Sequence, residues 1–173
     1  MNHTGHPLRI NVGFLVNQSP GFQREIPFEF DHFEFDNDLS IEDLKGIITL
    51  ARTQNGVRSV VEASATTELE CGRCLDPFMQ ELHTEFEEIF TFYNHPLSED
   101  EAIIPEDGNI DFEPILREYL LLEIPYTPIC RPDCQGLCYI CGQNLNDAIC
   151  AHMQKANEED KGPTSIRISY KES

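Results

Sequence analysis

The stretch IITLARTQNGVRSVVEASATTELECGRC, residues 47–74, decides the fold class because it predicts two long strands joined by a tight turn. Asn55-Gly56 stands between two strand-like runs, and Asn-Gly is the strongest short signal for a β-hairpin because both residues accept a positive φ. Beyond the turn, apolar and small side chains occupy every second position as far as Leu69, with mostly polar or charged ones between them. This period of two predicts an amphipathic strand with one buried face.

The same period extends outward in both directions, from residue 8 to about residue 95. Phe28 and Phe30 alternate with polar residues before the hairpin, and Leu82, Thr84 and Phe86 do so after it. The repeated pattern predicts a twisted antiparallel sheet or a half-open barrel. An acidic stretch broken by Pro and Gly follows at residues 96–111 and predicts a surface loop.

One amphipathic helix is expected over residues 111–124. Asp111 is a candidate N-cap, and Pro114 is tolerated in the first helical turn. The helix is expected to end before Pro125, and it should cover the open face of the sheet. Its apolar stripe has helical spacing and comprises Phe112, Ile115, Leu116, Tyr119 and Leu120.

The predicted fold class is therefore α+β, mainly an antiparallel β-sheet or half-open barrel covered by one helix, with a C-terminal zinc-knuckle module. We expect a β-rich domain over residues 1–129, a cysteine-rich zinc module over 130–152 and a polar tail over 153–173. The tail contains one strand-like stretch, Ile166 to Tyr170.

The charge balance excludes a broad nucleic-acid-binding face. Twelve Lys and Arg stand against 31 Asp and Glu in 173 residues, a formal net charge of −19, and no basic stripe occurs. Such a surface repels phosphate backbones. The sequence shows neither a signal peptide nor the ~20 apolar residues that span a bilayer. We therefore expect a cytoplasmic protein without membrane contact, in which thiols are reduced.

Seven cysteines, six of them in closely spaced pairs, are the strongest functional signal. Zn²⁺ takes four thiolate or imidazole ligands in a tetrahedron, and a Cys-x2-Cys turn supplies two of them. Cys138-Tyr-Ile-Cys141 followed by Gly142 is such a turn, and Cys150-Ala-His152 can complete it. We expect one or two zinc ions per chain. The candidate ligands are Cys71, Cys74, Cys130, Cys134, Cys138, Cys141, Cys150 and His152.

The sequence leaves open how these ligands are divided between metal ions. In one arrangement Cys138, Cys141, Cys150 and His152 form one site, and the other four thiols form a second. Closing the long loop of that second site costs about 4 kcal/mol, whereas structural zinc binding contributes roughly 10–16 kcal/mol. In the other arrangement the four cysteines between residues 130 and 141 share one metal.

Other interpretations of the cysteines are weaker. Free cysteines can pack in a core as small hydrophobic residues, but six of them in three tight pairs make that interpretation improbable. Cys134-x3-Cys138-x2-Cys141 has the iron–sulfur spacing of radical enzymes, but those carry it near the start of a large α/β barrel. A redox Cys-x-x-Cys usually opens a helix, whereas Cys71 ends a strand. No catalytic constellation or phosphate-binding glycine loop stands out, so we expect no enzyme and no small-molecule substrate.

Three segments, taken in order, resemble the YceD family, the large ribosomal RNA subunit accumulation proteins of bacteria and plastids. They are CGRCLDPF from Cys71, with EFEEIF soon after it; IDFEPILREYLLLEIPYTPIC from Ile110; and CRPDCQGLCYICGQNLN from Cys130. The resemblance covers roughly residues 8–152. The chain departs from it at Cys150-Ala-His152, where many relatives have Cys-x-Cys, and in TSIRISYKES, which replaces an apolar C-terminal helix.

The resemblance implies a role in the synthesis, processing or stability of 23S rRNA, and hence in assembly of the large ribosomal subunit. Because the chain is so acidic, we expect a basic ribosomal protein or an assembling large subunit as its direct partner. The alternative is direct rRNA binding by the zinc module, where Arg73, Arg131 and Tyr139 would form a small local patch.

Overall fold

The computed structural model describes residues 7–35, 39–92 and 102–152. Within these residues the chain forms two compact units. The first comprises residues 7–69 and 78–128, and the second comprises Glu70–Pro77 and residues 129–152. The predicted tail, with its strand-like stretch, lies outside the described residues.

Nearly all strand residues of the described chain belong to the first unit, as do the two helices named below. Its elements in chain order are β1 (Arg9–Asn11), α1 (Gly13–Val16), β2 (Gln23–Phe35), β3 (Leu39–Arg52), β4 (Gly56–Glu70), β5 (Pro77–Thr91), β6 (Ala102–Ile103), β7 (Asn109–Asp111) and α2 (Glu113–Glu123).

A five-stranded sheet in the order β2-β3-β4-β5-β6 forms the body of this unit. β2, β3 and β4 pair antiparallel, whereas the short β6 runs parallel to β5. β1 and β7 form a separate antiparallel pair. The α+β class with a mostly antiparallel sheet is confirmed, and the sheet does not close into a barrel.

The β3–β4 hairpin is confirmed, but the predicted two-residue turn is wrong. Arg52 pairs with Val57, and neither Asn55 nor Gly56 has a positive φ. Instead Thr53 closes a wider loop, because its Oγ1 accepts the backbone N–H of Gly56 at 3.0 Å. Glycine is needed at position 56 for space, since a Cβ there would lie 1.9 Å from the carbonyl oxygen of Phe90.

Three short elements, β6, β7 and α1, were not predicted from the sequence. Residues 96–111 do not form a loop throughout, because β6 and β7 lie within them, and residues 93–101 lie outside the described part. α1 interrupts the strand pattern near the N-terminus, where sequence gave no helical signal. α2 begins at Glu113, and Asp111 acts from two positions earlier by accepting the backbone N–H of Glu113 at 3.0 Å.

α2 packs on the sheet of its own unit through its apolar stripe. Leu116 and Leu120 are fully buried in the core. The Tyr119 ring stacks on that of Phe86 in β5, with centroids 4.0 Å apart and planes 1° apart, and Phe112 meets Phe90 edge to face. The predicted covering role of this helix is therefore confirmed. No helix among the described residues has the length and apolar character that crossing a lipid bilayer requires.

Candidate metal centres

Two Cys-x2-Cys turns in the second unit share one backbone hydrogen-bond pattern. In the first, the carbonyl of Cys71 accepts the N–H of Leu75 at 2.9 Å, and the N–H of Cys71 donates to Asp76 at 3.0 Å. In the second, Cys138 makes the equivalent bonds with Gly142 and Gln143, both at 2.8 Å. This pattern folds each turn back on itself, so that both thiols of a pair point the same way.

The first group of ligands joins one such turn to the pair Cys130 and Cys134. Sγ of Cys71 lies 3.8 Å from Sγ of Cys134, and Sγ of Cys74 lies 3.8 Å from Sγ of Cys130. All four sulfurs lie within 4.8 Å of one another. These distances are far longer than the ~2.05 Å of a disulfide bond, so the thiols are free.

One backbone and one side-chain hydrogen bond of Arg73 hold the two parts of this group together. The carbonyl of Arg73 accepts the N–H of Leu137 at 3.0 Å, and its guanidinium donates to the carbonyl of Cys134 at 3.1 Å. Gly136, with a φ of 71°, makes the close approach feasible, because a Cβ there would lie 3.0 Å from the Arg73 carbonyl oxygen.

The second group comprises Cys138, Cys141, Cys150 and His152, whose ligand atoms also lie within 4.8 Å of one another. Cys138 and Cys150 are buried, whereas Cys141 and His152 are exposed. This group therefore lies nearer the solvent than the first, in which three of the four cysteines are buried.

The cysteines themselves are the core of the second unit. In its described part, every buried residue except Gly136 is a cysteine. Leu75, Tyr139, Ile140 and Ile149 are instead exposed. A unit with so little buried apolar surface needs another source of cohesion, and a bound metal ion is the usual one in small domains.

Backbone N–H groups stabilise the thiolate form of the first cysteine in each turn. The N–H groups of Cys74 and Cys130 lower the pKa of Cys71 to about 6, and those of Cys141 and Ile140 lower the pKa of Cys138 to about 6. Metals bind thiolates and not thiols, so each turn presents one pre-ionised ligand at neutral pH.

Asn146 is a component of the first group that the sequence did not reveal. Its Nδ2 donates to Sγ of Cys134 at 3.5 Å, and this hydrogen bond is the main cause that lowers the pKa of that thiol. Its Oδ1 accepts the backbone N–H of Gln135 at 2.8 Å and the guanidinium of Arg131 at 3.0 Å. An asparagine between Cys141 and Cys150 carries no sequence signal for a contact with Cys134, which belongs to the other group.

The structure brings together all eight residues that the sequence nominated, in two sets of four. Cys71, Cys74, Cys130 and Cys134 form one set, and the remaining four form the other. This division is the first of the two arrangements that the sequence left open. The alternative, in which the four cysteines between residues 130 and 141 share one metal, does not fit, because Cys138 and Cys141 group with Cys150.

Comparison with known proteins gives a family match over most of the chain. The family model described as large ribosomal RNA subunit accumulation protein YceD matches residues 60–164, a stretch that contains every candidate ligand. That description names an accumulation factor and not an enzyme class. No solved structure is a significant match.

Curated relatives match over shorter stretches. An uncharacterized protein of Mycobacterium bovis is 36% identical over 94 residues, which cover 52% of this chain and 45% of the relative. A Mycobacterium leprae protein is 30% identical over 115 residues, covering 62% and 48%. The chloroplastic large ribosomal RNA subunit accumulation protein YCED homolog 1 of Arabidopsis thaliana is 37% identical over 59 residues, covering 34% and 18%. The matched stretch thus spans less than half the length of each of these relatives.

Proposed function

The chain belongs to the YceD family, and from this premise we propose that it is a non-enzymatic, zinc-binding cytoplasmic factor that supports 23S rRNA synthesis, processing or stability and large-subunit assembly. The observation that carries the proposal is the family match, which spans both ligand groups and the strands that lead into them. We further propose that the metal module has a structural role and that the acidic sheet unit meets the partner.

The sulfur–sulfur distances support zinc as the metal. A Zn–S bond of about 2.3 Å in a regular tetrahedron separates its sulfurs by about 3.8 Å. Two of the sulfur–sulfur separations in the first group, Cys71 to Cys134 and Cys74 to Cys130, are both 3.8 Å. One ion fits this spacing, whereas a [4Fe–4S] cluster holds its thiolates farther apart because each one binds a different iron. A mixed set of three cysteines and one histidine is also a zinc donor set.

A bound zinc ion would cross-link its four ligand residues and would have no catalytic role. Cys71 and Cys74 lie between β4 and β5 in sequence, so the first ion would connect that segment to residues 130–134. Elemental analysis of protein purified without added metal tests this part of the proposal. We expect one or two equivalents of zinc, and less than half an equivalent, with no other metal, would refute it.

The negative charge is concentrated in the first unit. Its described residues contain six Lys and Arg against eighteen Asp and Glu, whereas those of the second unit contain two against four. A shallow open groove of about 650 Å³ crosses β2 to β5 in the first unit, where Glu29, Glu62 and Glu85 outnumber the one lining lysine, Lys45, around the exposed Ile47. Carboxylates around an apolar side chain complement a basic protein segment.

We therefore propose that this face escorts a basic ribosomal protein, or docks on an assembling large subunit through one. The test is a pulldown of ribosomal proteins at ~0.15 M salt with a Glu29→Gln/Glu62→Gln/Glu85→Gln variant. A variant with three neutralised carboxylates elsewhere, at Glu106, Glu118 and Glu123, has the same net charge and is the matched control. Capture should fall for the groove variant alone. Equal capture by all three proteins would refute the docking face.

Direct rRNA contact by the second unit is the alternative function, and two observations favour it. That unit is nearly neutral, and its Tyr139 side chain is 85% exposed, as expected of a residue that stacks on an unpaired base. Gel shifts with 23S rRNA fragments separate the two functions. Submicromolar binding at ~0.15 M salt that is lost in Tyr139→Ala and in Arg73→Glu/Arg131→Glu would favour the RNA-binding alternative over the escort.

A further inference from the structure

The loop between Cys141 and Cys150 connects the two ligand groups. Both of its ends are cysteines of the second group. Its middle residue Asn146 contacts Cys134 of the first group, with Nδ2 3.5 Å from Sγ. Whatever fixes the ends of this loop therefore also positions a hydrogen-bond donor at the other group.

A short polar chain strengthens this connection. Asn144 Oδ1 accepts both the backbone N–H of Asn146 at 3.0 Å and its side-chain Nδ2 at 2.8 Å. Nδ2 of Asn144 in turn donates to the carboxylate of Asp76 at 2.7 Å, in the Cys71 turn. Asn144 also forms an isolated β-bridge with Leu137, and Leu145 donates to the carbonyl of Gly136 at 2.8 Å. The loop thus contacts both halves of the first group.

Hydrogen bonds to metal-bound thiolates orient the ligand and disperse its charge, and their loss commonly weakens metal binding by about 10–100-fold. A loop that is free at one end keeps such a donor in place for only part of the time, since ordering it has an entropic cost. A metal ion on the second group would remove that cost in advance, because it closes the loop.

We propose that Asn146 couples the two metal centres, so that a metal ion bound by the Cys138 group strengthens binding of a metal ion by the Cys71 group. The coupling rests on the proposal above that both groups hold metal. It is reciprocal, as linkage between two binding sites requires. Asn146 is a positioning residue in this scheme, since it does not bind either ion itself.

The test is a double-mutant cycle on the full chain loaded with ¹¹³Cd²⁺, whose NMR signal reports each centre separately. The cycle combines His152→Ala, which weakens the second centre at an exposed ligand, with Asn146→Leu, which removes the hydrogen bond. The measured quantity is the rate at which EDTA removes the resonance of the first centre. Gln143→Leu is the matched control, because Gln143 lies in the same loop and its side-chain contact, with Ala148, stays within it.

We expect His152→Ala and Asn146→Leu each to accelerate cadmium loss from the first centre by about tenfold, and the double variant to be no faster than Asn146→Leu. Gln143→Leu should leave that rate unchanged. Asn146→Asp keeps the oxygen that accepts from Gln135 and Arg131 but loses the N–H that donates to Cys134. It should therefore release cadmium as fast as Asn146→Leu. This variant separates loss of the N–H···S bond from misfolding of the loop.

The results that would overturn the coupling differ in what else they refute. If His152→Ala accelerates release by the same factor with and without Asn146, the coupling between the centres does not pass through Asn146; if it leaves release unchanged, the centres are independent although both bind metal. Wild-type release rates in Asn146→Asp would likewise remove any role for the N–H···S bond. If the loaded protein shows no cadmium resonance from thiolate ligands, the metal proposal fails together with the coupling.

Discussion

Leu75 and Gly142 occupy the same position in two turns, directly after the second cysteine of each Cys-x2-Cys pair. Both have a left-handed φ, 61° for Leu75 and 72° for Gly142. Glycine adopts this conformation freely, whereas a residue with a Cβ is strained there by about 1–2 kcal/mol. The first turn therefore keeps a strained residue whose side chain is more than half exposed.

Exchanging the residue types at these two positions should have unequal effects on stability. Gly142→Ala should lower the free energy of unfolding by about 1 kcal/mol, because its new Cβ meets no atom within 4 Å and only the φ is strained. Leu75→Gly should change it by less than about 1 kcal/mol in either direction, since relief of strain offsets the added chain entropy. Urea unfolding of the metal-loaded protein measures both, and equal losses in the two variants would contradict the equivalence of the turns.

Removing metal should loosen the second unit and leave the first one folded. The buried residues of the second unit are almost all cysteines, so no apolar core remains once the ligands are released. After EDTA treatment, amide hydrogen exchange should accelerate in Glu70–Pro77 and residues 129–152. The strand β3 and residues 56–69 of β4 are the internal control and should keep their protection. Unchanged protection in the second unit would argue against a structural metal.

The strands were predictable from sequence because one face of each is buried. In β4, Val57, Ser59, Val61, Ala63 and Ala65 are all buried, as the period of two predicted. The parts that failed depend on contacts that are distant along the chain. β7 could not be predicted within the acidic stretch, because its partner strand β1 lies about a hundred residues earlier in the chain. Gly56 was correctly linked to a turn but for the wrong reason, since its constraint is the approach of Phe90.

The candidate ligands were predictable for a different reason. Two thiols separated by two residues reach one ion through local backbone geometry, so Cys138 and Cys141 belong together whatever the fold. The grouping of the Cys71 turn with Cys130 and Cys134 requires long-range folding, and the sequence could therefore only offer it as one of two arrangements. Asn146 was missed because a donor to a ligand sulfur has no characteristic spacing.

Two substitutions within the first group should be strongly non-additive. Cys71→Ser and Cys134→Ser should each destabilise the protein by a similar amount, because Sγ atoms 3.8 Å apart serve the same ion. The double variant should lose little more than either single one, since an empty site has little further binding energy to lose. Pairing Cys71→Ser with Cys138→Ser, which lies in the other group, should produce a clearly larger loss. Additive losses within the first group, measured by urea unfolding in excess zinc, would show that these thiols do not share a metal.

The stability of the β2–β3 pair should depend on pH through His32. Its Nδ1 lies 2.9 Å from Oε1 of Glu42, its direct cross-strand partner, and hydrogen bonds to Glu42 and then Glu34 raise the pKa of His32 above its ordinary 6.5. A raised folded-state pKa means that the folded chain holds the proton more tightly, so this contribution is fully present below pH 6.5 and is lost as the pH rises through the folded value. NMR titration should show Glu42→Gln moving that pKa back towards 6.5, with Glu62→Gln as a control that leaves it unchanged. The difference in unfolding free energy between wild type and Glu42→Gln should be larger at pH 5.5 than at pH 8. A difference that does not vary with pH would show that this pair does not contribute through the charge of His32.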